Sequence, residues 1–266
     1  MRRELKYLVR EADRERLLAR VGPYLDPDPH AERRGDGPAA YTVRSIYLDT
    51  PDLQDYHEKD SGILRRRKLR VRGYNAPSGA GVFLEVKHKN GSAIWKDRTR
   101  VPASAAARLI AGDPVAGLQL SESAERSASS FVYRLRRERR RPVLLVTYDR
   151  EPMIGRLDPS LRVTLDRRLR CAAYPALGTD LSGLYAERGL RHVLPGQFIL
   201  EVKYDRAHPS WLRAIVGAMR LRRQALSKYG MGLEHQAAGP ARNAFQAGGG
   251  PALRAARVPS LPNDPA

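Results

Sequence analysis

The chain has 266 residues, of which 48 are Lys or Arg and 29 are Asp or Glu, so its formal net charge is +19. A hydrophobic fraction of 42% is typical of folded proteins and excludes a disordered basic chain. So large a positive charge argues against a domain that is indifferent to polyanions. The single cysteine, Cys171, excludes an internal disulfide framework and a multi-cysteine zinc site.

The hydrophobic period changes along the chain. An amphipathic helix is predicted over residues 11–21, and a turn-rich loop follows over 26–40. From Thr42 onward apolar and polar residues alternate, which predicts strands. The predicted strands are 42–49, 68–74, 82–89, 94–101, 143–150, 161–166 and 198–204, and the other predicted helices are 102–111, 127–139 and 209–220.

The end of the chain has a different composition. Residues 237–266 are rich in Gly, Ala and Pro and show no periodicity, so they predict a disordered tail after a domain over 1–236. No apolar run approaches the ~18–20 residues of a membrane helix, and the first residues lack the apolar core of a signal peptide. These features predict a cytoplasmic protein.

Several predicted strands carry basic side chains on one face. Lys68, Arg70 and Arg72 share a face, as do Lys96 and Arg98. The simplest interpretation is an ordinary sheet whose charged face meets water. The alternative is a closed barrel with a wet interior, whose basic walls would form a tunnel that attracts phosphate.

Two strands also repeat the tetrapeptide Leu-Glu-Val-Lys, which places Glu85 beside Lys87 and Glu201 beside Lys203. Each carboxylate taken alone predicts a salt bridge to its neighbouring lysine. Glu85 and Glu201 together could instead hold Mg²⁺ or Mn²⁺, because these hard ions prefer oxygen ligands and often share them with substrate phosphates.

An ordered set of short motifs resembles the VTC-type polyphosphate polymerase domain, a branch of the triphosphate tunnel metalloenzymes. The matching segments are ELKYLV (4–9), SIYLDTPDLQDYH (45–57), KLRVRGY (68–74), FLEVKHK (83–89), AIWKDR (93–98), VTYDR (146–150), LRVTLD (161–166), ILEVKYD (199–205) and ALSKYG (225–230). The wider superfamily begins with Glu-x-Glu-x-Lys, whereas this chain has Arg2-x-Glu4-x-Lys6, which is more similar to the polymerase branch.

The resemblance implies an α+β fold, in which a closed antiparallel barrel of about eight strands forms a tunnel with helices packed outside. It also implies site residues by position. The expected catalytic residues are Arg70, Arg72, Lys87, Arg150 and Arg162; the expected substrate-binding residues are Lys6, Lys96, Tyr148, Lys203, Ser227 and Lys228; the expected metal ligands are Glu201 and Glu85.

The activity implied by the resemblance is transfer of the ATP γ-phosphate onto a growing inorganic polyphosphate chain. The expected partners are ATP, polyphosphate, a divalent metal (Mn²⁺ or Mg²⁺) and, by analogy, a membrane protein that would associate the chain with a membrane. One alternative is hydrolysis of inorganic triphosphate or nucleoside triphosphates. Another is a non-catalytic polyanion binder, in which the basic runs 65–68 and 136–141 could bind nucleic acid. Base-specific recognition is not expected, because the sequence has no zinc-finger spacing and no RNP-like strand.

Overall fold

The computed structural model describes residues 3–31, 37–75, 81–91, 93–115, 118, 120–205 and 207–238. Residues 239–266, which form most of the predicted tail, lie outside this range. The described strands are β1 (Arg3–Arg10), β2 (Leu25–Pro27), β3 (Tyr41–Asp49), β4 (Arg65–Tyr74), β5 (Val82–Asn90), β6 (Ala93–Val101), β7 (Arg141–Gly155), β8 (Arg162–Ala173), β9 (Arg191–His192) and β10 (Gln197–Tyr204). The described α-helices are α1 (Arg14–Val21), α2 (Gln54–Asp60), α3 (Ala103–Ala111), α4 (Glu122–Arg137), α5 (Ser210–Ala218) and α6 (Lys228–Ala238).

All described strands join one antiparallel sheet. Eight of them form a continuous path in the order β1-β10-β8-β7-β3-β4-β5-β6, while β2 pairs with β7 and β9 pairs with β8. Every strand that the sequence predicted is present, and the alternation of side chains gives strands such as β4 and β5 one apolar and one polar face.

Apolar residues of the outer, convex face form two cores. Leu69, Val71 and Leu84 pack with Phe131 and Leu135 of α4 in the first core, to which α3 also contributes. The second core joins β1, β8 and β10 to α1 and α5. Helices therefore cover the convex face, and the charged positions of the same strands must lie on the opposite, concave face.

A third apolar cluster lies on the concave face, where α6 packs against β7 and β8. Leu144, Val146 and Cys171 from the strands contact Tyr229 and Leu233 from the helix. Because α6 covers this part of the sheet, only the remainder of the concave face is open to polar side chains. Within the described part of the chain, no helix is long and apolar enough to cross a membrane.

The predicted closed barrel is wrong, because the sheet is an open half-barrel with β1 and β6 at its two ends. The outer edge of β1 is occupied by the segment before α6: Arg223 forms a bridge with Tyr7, and Gln224 donates its backbone N–H to the Lys6 carbonyl at 2.9 Å. This segment uses hydrogen-bonding groups that β6 would need to close the barrel. Among the described strands, β6 pairs with β5 alone.

Candidate active site

The concave face holds a cavity of about 600 Å³ that is lined mainly by cations. The described lining contains thirteen Lys and Arg side chains and two carboxylates, Glu4 and Glu201. The cations are Lys6, Lys59, Arg66, Arg67, Lys68, Arg70, Arg72, Lys87, Lys89, Arg150, Lys203, Arg223 and Lys228. The alternating charges of β1, β4, β5 and β10 therefore converge on one shared space.

On the β4–β5 wall, a buried carboxylate orients Arg70. Glu85 is 1% exposed and accepts a hydrogen bond from Arg70 Nε at 2.6 Å. Arg98 Nε lies 3.2 Å and Lys96 Nζ 3.9 Å from its other oxygen. Burial alone would raise the pKa of Glu85, but Arg70, Arg72 and Lys96 lower it to about 2. Glu85 is thus a charged group that fixes the Arg70 guanidinium in the cavity wall.

Tyr47 from β3 lies next to the same arginines and lines the cavity. Its hydroxyl accepts a hydrogen bond from Arg70 Nη1 at 3.3 Å, and Arg72 Nε donates to Ser45 Oγ at 3.2 Å. Burial tends to raise the pKa of Tyr47, but Arg70, Arg72 and Lys68 lower it to about 8. The sequence places Ser45 and Tyr47 on one face of β3, but neither residue carries a charge that would indicate a site.

A second buried carboxylate, Asp166, organises the opposite wall. It is fully buried and accepts two hydrogen bonds from Arg150, at 2.7 and 2.8 Å, while Lys228 Nζ lies 2.5 Å away. Burial alone would raise the pKa of Asp166, but Arg150 and Lys228 lower it below its ordinary value. Lys228 also lies over the Tyr148 ring, 4.7 Å from its centroid. These contacts fix both cations at the cavity surface.

The two carboxylates of the lining share a lysine. Lys6 Nζ lies 2.7 Å from Glu4 Oε1 and 4.0 Å from Glu201 Oε2, and Lys203 forms a close ion pair with Glu201. Burial would raise the pKa of Glu201, but Lys203, Lys228 and Lys6 hold it well below its usual range. Both glutamates therefore remain ionised at neutral pH.

Comparison with known proteins identifies the family. The sequence matches the VTC domain over residues 1–236. The chain therefore belongs to the VTC domain family. No curated protein matches the sequence significantly.

Two solved structures are similar to this VTC domain at low sequence identity. The PH1819 protein from Pyrococcus horikoshii OT3 has a TM-score of 0.43 and 14% identity, over 88% of this chain and 99% of that chain. A putative adenylyl cyclase, HpAC1 from Hippeastrum, for which a dominant triphosphatase activity is described, has a TM-score of 0.42 and 12% identity, over 88% of this chain and 96% of that chain.

The two glutamates that the sequence proposed as a metal pair have different ion-pair partners. Glu85 pairs with Arg70, Arg98 and Lys96, whereas the partners of Glu201 come from β1, β7, β10 and α6. The described residues contain no cluster of three or more acidic, His or Cys side chains that could hold a metal. Glu201 and Glu4 line the same cavity and supply hard oxygen donors, so they fit a divalent ion whose other ligands come from substrate phosphates.

Most of the expected site residues of this VTC domain line the cavity. Ten do so: Lys6, Arg70, Arg72, Lys87, Tyr148, Arg150, Glu201, Lys203, Ser227 and Lys228. Lys96 is half exposed beside Glu85 and is not part of the described lining. Arg162 is the first residue of β8 and lies outside that lining; its Nη1 donates a hydrogen bond to Asp28 Oδ2 at 2.7 Å. The sequence analysis missed the lining residues Glu4, Tyr47 and Lys68 as site residues, although Lys68 shares a face with Arg70.

Proposed function

We propose that this VTC domain is a phosphotransferase that moves the γ-phosphate of ATP onto a growing inorganic polyphosphate chain. The observation that carries the proposal is the cavity whose described lining contains thirteen cations and two carboxylates. Arginine binds phosphate oxygens through a two-pronged hydrogen-bonding group, and lysine acts as a compact point charge. Because these cations repel one another, a bound polyanion would relieve that repulsion.

In the proposed reaction, an oxygen of the chain-end phosphate attacks the γ-phosphorus of ATP. A new P–O bond forms as the bond from the γ-phosphorus to the β,γ-bridging oxygen breaks, and ADP leaves. Arg70 and Arg72 on one wall, with Arg150 and Lys228 on the other, would neutralise the charge that develops on the phosphate oxygens. A general base is not needed, because a chain-end phosphate is already largely ionised near neutral pH (second pKa ~6).

The carboxylates of the cavity support transfer to a phosphate rather than to water. The pKa of Glu4 is lowered: burial raises it, but Lys6 and other lysines outweigh burial. The pKa of Glu201 is held well below its usual range. Carboxylates with such low pKa values are weak bases and accept a proton from water poorly. Triphosphate hydrolysis is the second candidate activity, and Tyr47, a lining residue whose pKa is about 8, favours it because its phenolate would accept a proton from water.

A divalent metal, Mn²⁺ or Mg²⁺, is part of the proposal. Glu201 and Glu4 would hold it together with phosphate oxygens of the substrate, and we propose this pair in place of Glu201 and Glu85. When bound, the metal would act as a Lewis acid that neutralises charge on the transferred phosphate. The chain's own residues would position the two phosphates, because they already form the two walls of the cavity.

The proposal is tested by incubating the purified protein with ATP and Mn²⁺ and separating the products on a gel. We expect long phosphate chains, and we expect Arg72→Ala to slow their synthesis about a hundredfold or more. Arg126→Ala is the matched control, because Arg126 is exposed on α4 and pairs with Glu122. Phosphate release without chains would indicate the hydrolase, and salt-sensitive polyanion binding without turnover would indicate a binder. Full synthesis by Arg70→Ala and Arg72→Ala would contradict the cavity assignment.

A further inference from the structure

One lining cation, Lys68, has no assigned role in the proposed reaction. Its side chain extends from β4 towards the start of α6, where Nζ lies 3.3 Å from Ser227 Oγ and 4.9 Å from the centroid of the Tyr229 ring. A hydroxyl and an aromatic face stabilise an ammonium group without neutralising it. Among the described residues, no carboxylate forms an ion pair with Lys68, so its charge is directed at the cavity.

A buried aspartate lies behind this lysine. Asp49, the last residue of β3, is fully buried, and its Oδ2 accepts a hydrogen bond from the Tyr229 hydroxyl at 2.6 Å. Its Oδ1 accepts the backbone N–H groups of Thr50 at 2.8 Å and Asp55 at 3.0 Å. Asp49 therefore connects the end of β3 to α2 and to the first turn of α6.

The arginine near Asp49 forms its hydrogen bonds with other acidic residues. Arg140 donates two hydrogen bonds to Asp55, at 2.6 and 2.9 Å, and a third to Glu138 at 2.6 Å. Its closest approach to Asp49 Oδ1 is 3.9 Å, too long for a hydrogen bond. Asp49 is thus a buried carboxylate that is stabilised by hydrogen bonds and bonds the hydroxyl of the tyrosine whose ring face meets Lys68.

We propose that Lys68 is a further substrate-binding residue that contacts a phosphate in the cavity, and that Asp49 is a positioning residue that holds Tyr229 against it. The inference rests on the proposed function, because it adds a phosphate contact to the same cavity. Its physical basis is geometric: β4 fixes one end of the Lys68 side chain, and Asp49 fixes Tyr229 of α6, whose ring lies 4.9 Å from the ammonium group. An ammonium group held in this way loses little side-chain entropy when a phosphate binds.

The charge of Lys68 should respond to pH. Burial lowers its pKa to about 8, although Tyr47, Asp55 and Asp49 act to raise it. The titratable groups around it are Tyr47 and Asp49 of β3, Asp55 and Lys59 of the α2 region, Lys87 of β5 and Tyr229 of α6. Because a lysine is charged only below its pKa, its contribution to phosphate binding is present at pH 7 and lost as the pH rises through about 8.

The test is calorimetric titration of the full chain with inorganic tripolyphosphate between pH 7 and pH 9.5. We expect Lys68→Met to weaken binding about tenfold at pH 7, equivalent to one charge-assisted contact, and by less than about twofold at pH 9.5. The variant keeps Tyr47, so the difference in tripolyphosphate affinity between the variant and the natural protein reports the contribution of Lys68. In the natural protein the affinity for tripolyphosphate should fall as the pH rises. Asp49→Asn should shift this fall to lower pH, because Asp49 acts to raise the pKa of Lys68, and it should have no such effect in the Lys68→Met variant.

If Asp49 had a purely structural role, Asp49→Asn would weaken binding equally at every pH, both in the natural protein and in the Lys68→Met variant. That result would overturn its assignment. If Asp49→Asn does not fold, Tyr229→Phe removes the same hydrogen bond and retains the aromatic ring; unchanged tripolyphosphate affinity would overturn the positioning role. Equal affinity of Lys68→Met and the natural protein at pH 7 would overturn the binding role.

Reference variants separate this inference from the proposed function. If Arg72→Ala loses tripolyphosphate binding and Lys68→Met does not, the binding role of Lys68 is contradicted, whereas the assignment of the cavity as the phosphate-binding site is retained. If neither variant loses binding, the cavity assignment fails as well. Arg126→Met, which removes an exposed cation on α4, should bind tripolyphosphate as the natural protein does.

Discussion

Buried carboxylates behind the cavity determine which cations are directed at a substrate. Glu85 orients Arg70, and Asp166 orients both Arg150 and Lys228. A buried charge is costly unless it is paired and hydrogen-bonded, so these acids remain ionised only because their partners are held close. The same pairing fixes the positions of the cations before any substrate arrives, which reduces the entropy lost on binding.

Removal of the Asp166 charge should therefore destabilise the fold. Asp166→Asn leaves Arg150 and Lys228 buried without their closest acid, and we expect the free energy of unfolding to fall by about 3–5 kcal/mol at pH 7. Because the pKa of Asp166 is lowered in the folded state, this contribution is present at neutral pH and is lost only in acid. Urea denaturation measures the change.

The matched control is Asp26→Asn, which removes a half-exposed partner of Arg156 at 2.9 Å. Exposed ion pairs contribute about 1 kcal/mol or less, so this variant should change the unfolding free energy little. Equal losses for the two variants would show that Asp166 does not have the role of a buried counter-charge.

At the scale of elements, α6 connects the apolar core to the cavity. Its first residue, Lys228, lines the cavity, and its later turns pack against β7 and β8. Gly232 makes the close approach possible, because a Cβ there would lie 2.7 Å from Leu144 Cδ2 and 3.4 Å from Cys171 Cβ. The position of the cavity wall thus depends on how tightly this helix packs.

Gly232→Ala should be destabilising, although alanine is the better helix former. Leu144 is fully buried and cannot move aside freely, so we expect a loss of about 1–3 kcal/mol in the free energy of unfolding, together with weaker tripolyphosphate binding. Gly217→Ala in α5 is the control, because nothing lies within 4 Å of a Cβ there, and it should be neutral or stabilising. If both variants were stabilising in thermal unfolding, the close packing of α6 would be contradicted.

Local patterns in the sequence predict the strands and the direction of their charged faces, as in Lys68, Arg70 and Arg72 of β4. Alternation is a property of each strand, so it can be read without knowledge of its neighbours. Whether the sheet closes depends on which segment occupies the outer edge of β1. That segment, around Arg223 and Gln224, has no periodic pattern, and α6 contains Gly230 and Gly232, which weaken its helix signal. The roles of Tyr47 and Asp166 could not be predicted from the sequence either, because they depend on tertiary contacts with Arg70, Arg150 and Lys228.

At the scale of the whole molecule, a large share of the positive charge faces the interior of an open half-barrel. The thirteen cations of the described lining surround a cavity of about 600 Å³ and form a strong local field, because the protein interior behind them screens charge poorly. Helices on the convex face leave the concave face as the place where a polyanion can meet these cations together. The account therefore depends on phosphates binding inside the half-barrel and not on its outer surface.

The most direct test is a crystal structure of the protein with a non-hydrolysable ATP analogue and Mn²⁺. The account predicts that the triphosphate lies on the concave face, with Arg72 on one side and Lys228 on the other. An analogue that is ordered on the outer surface, for example at Arg136 and Arg137 of α4, while the concave cavity contains only solvent, would contradict it.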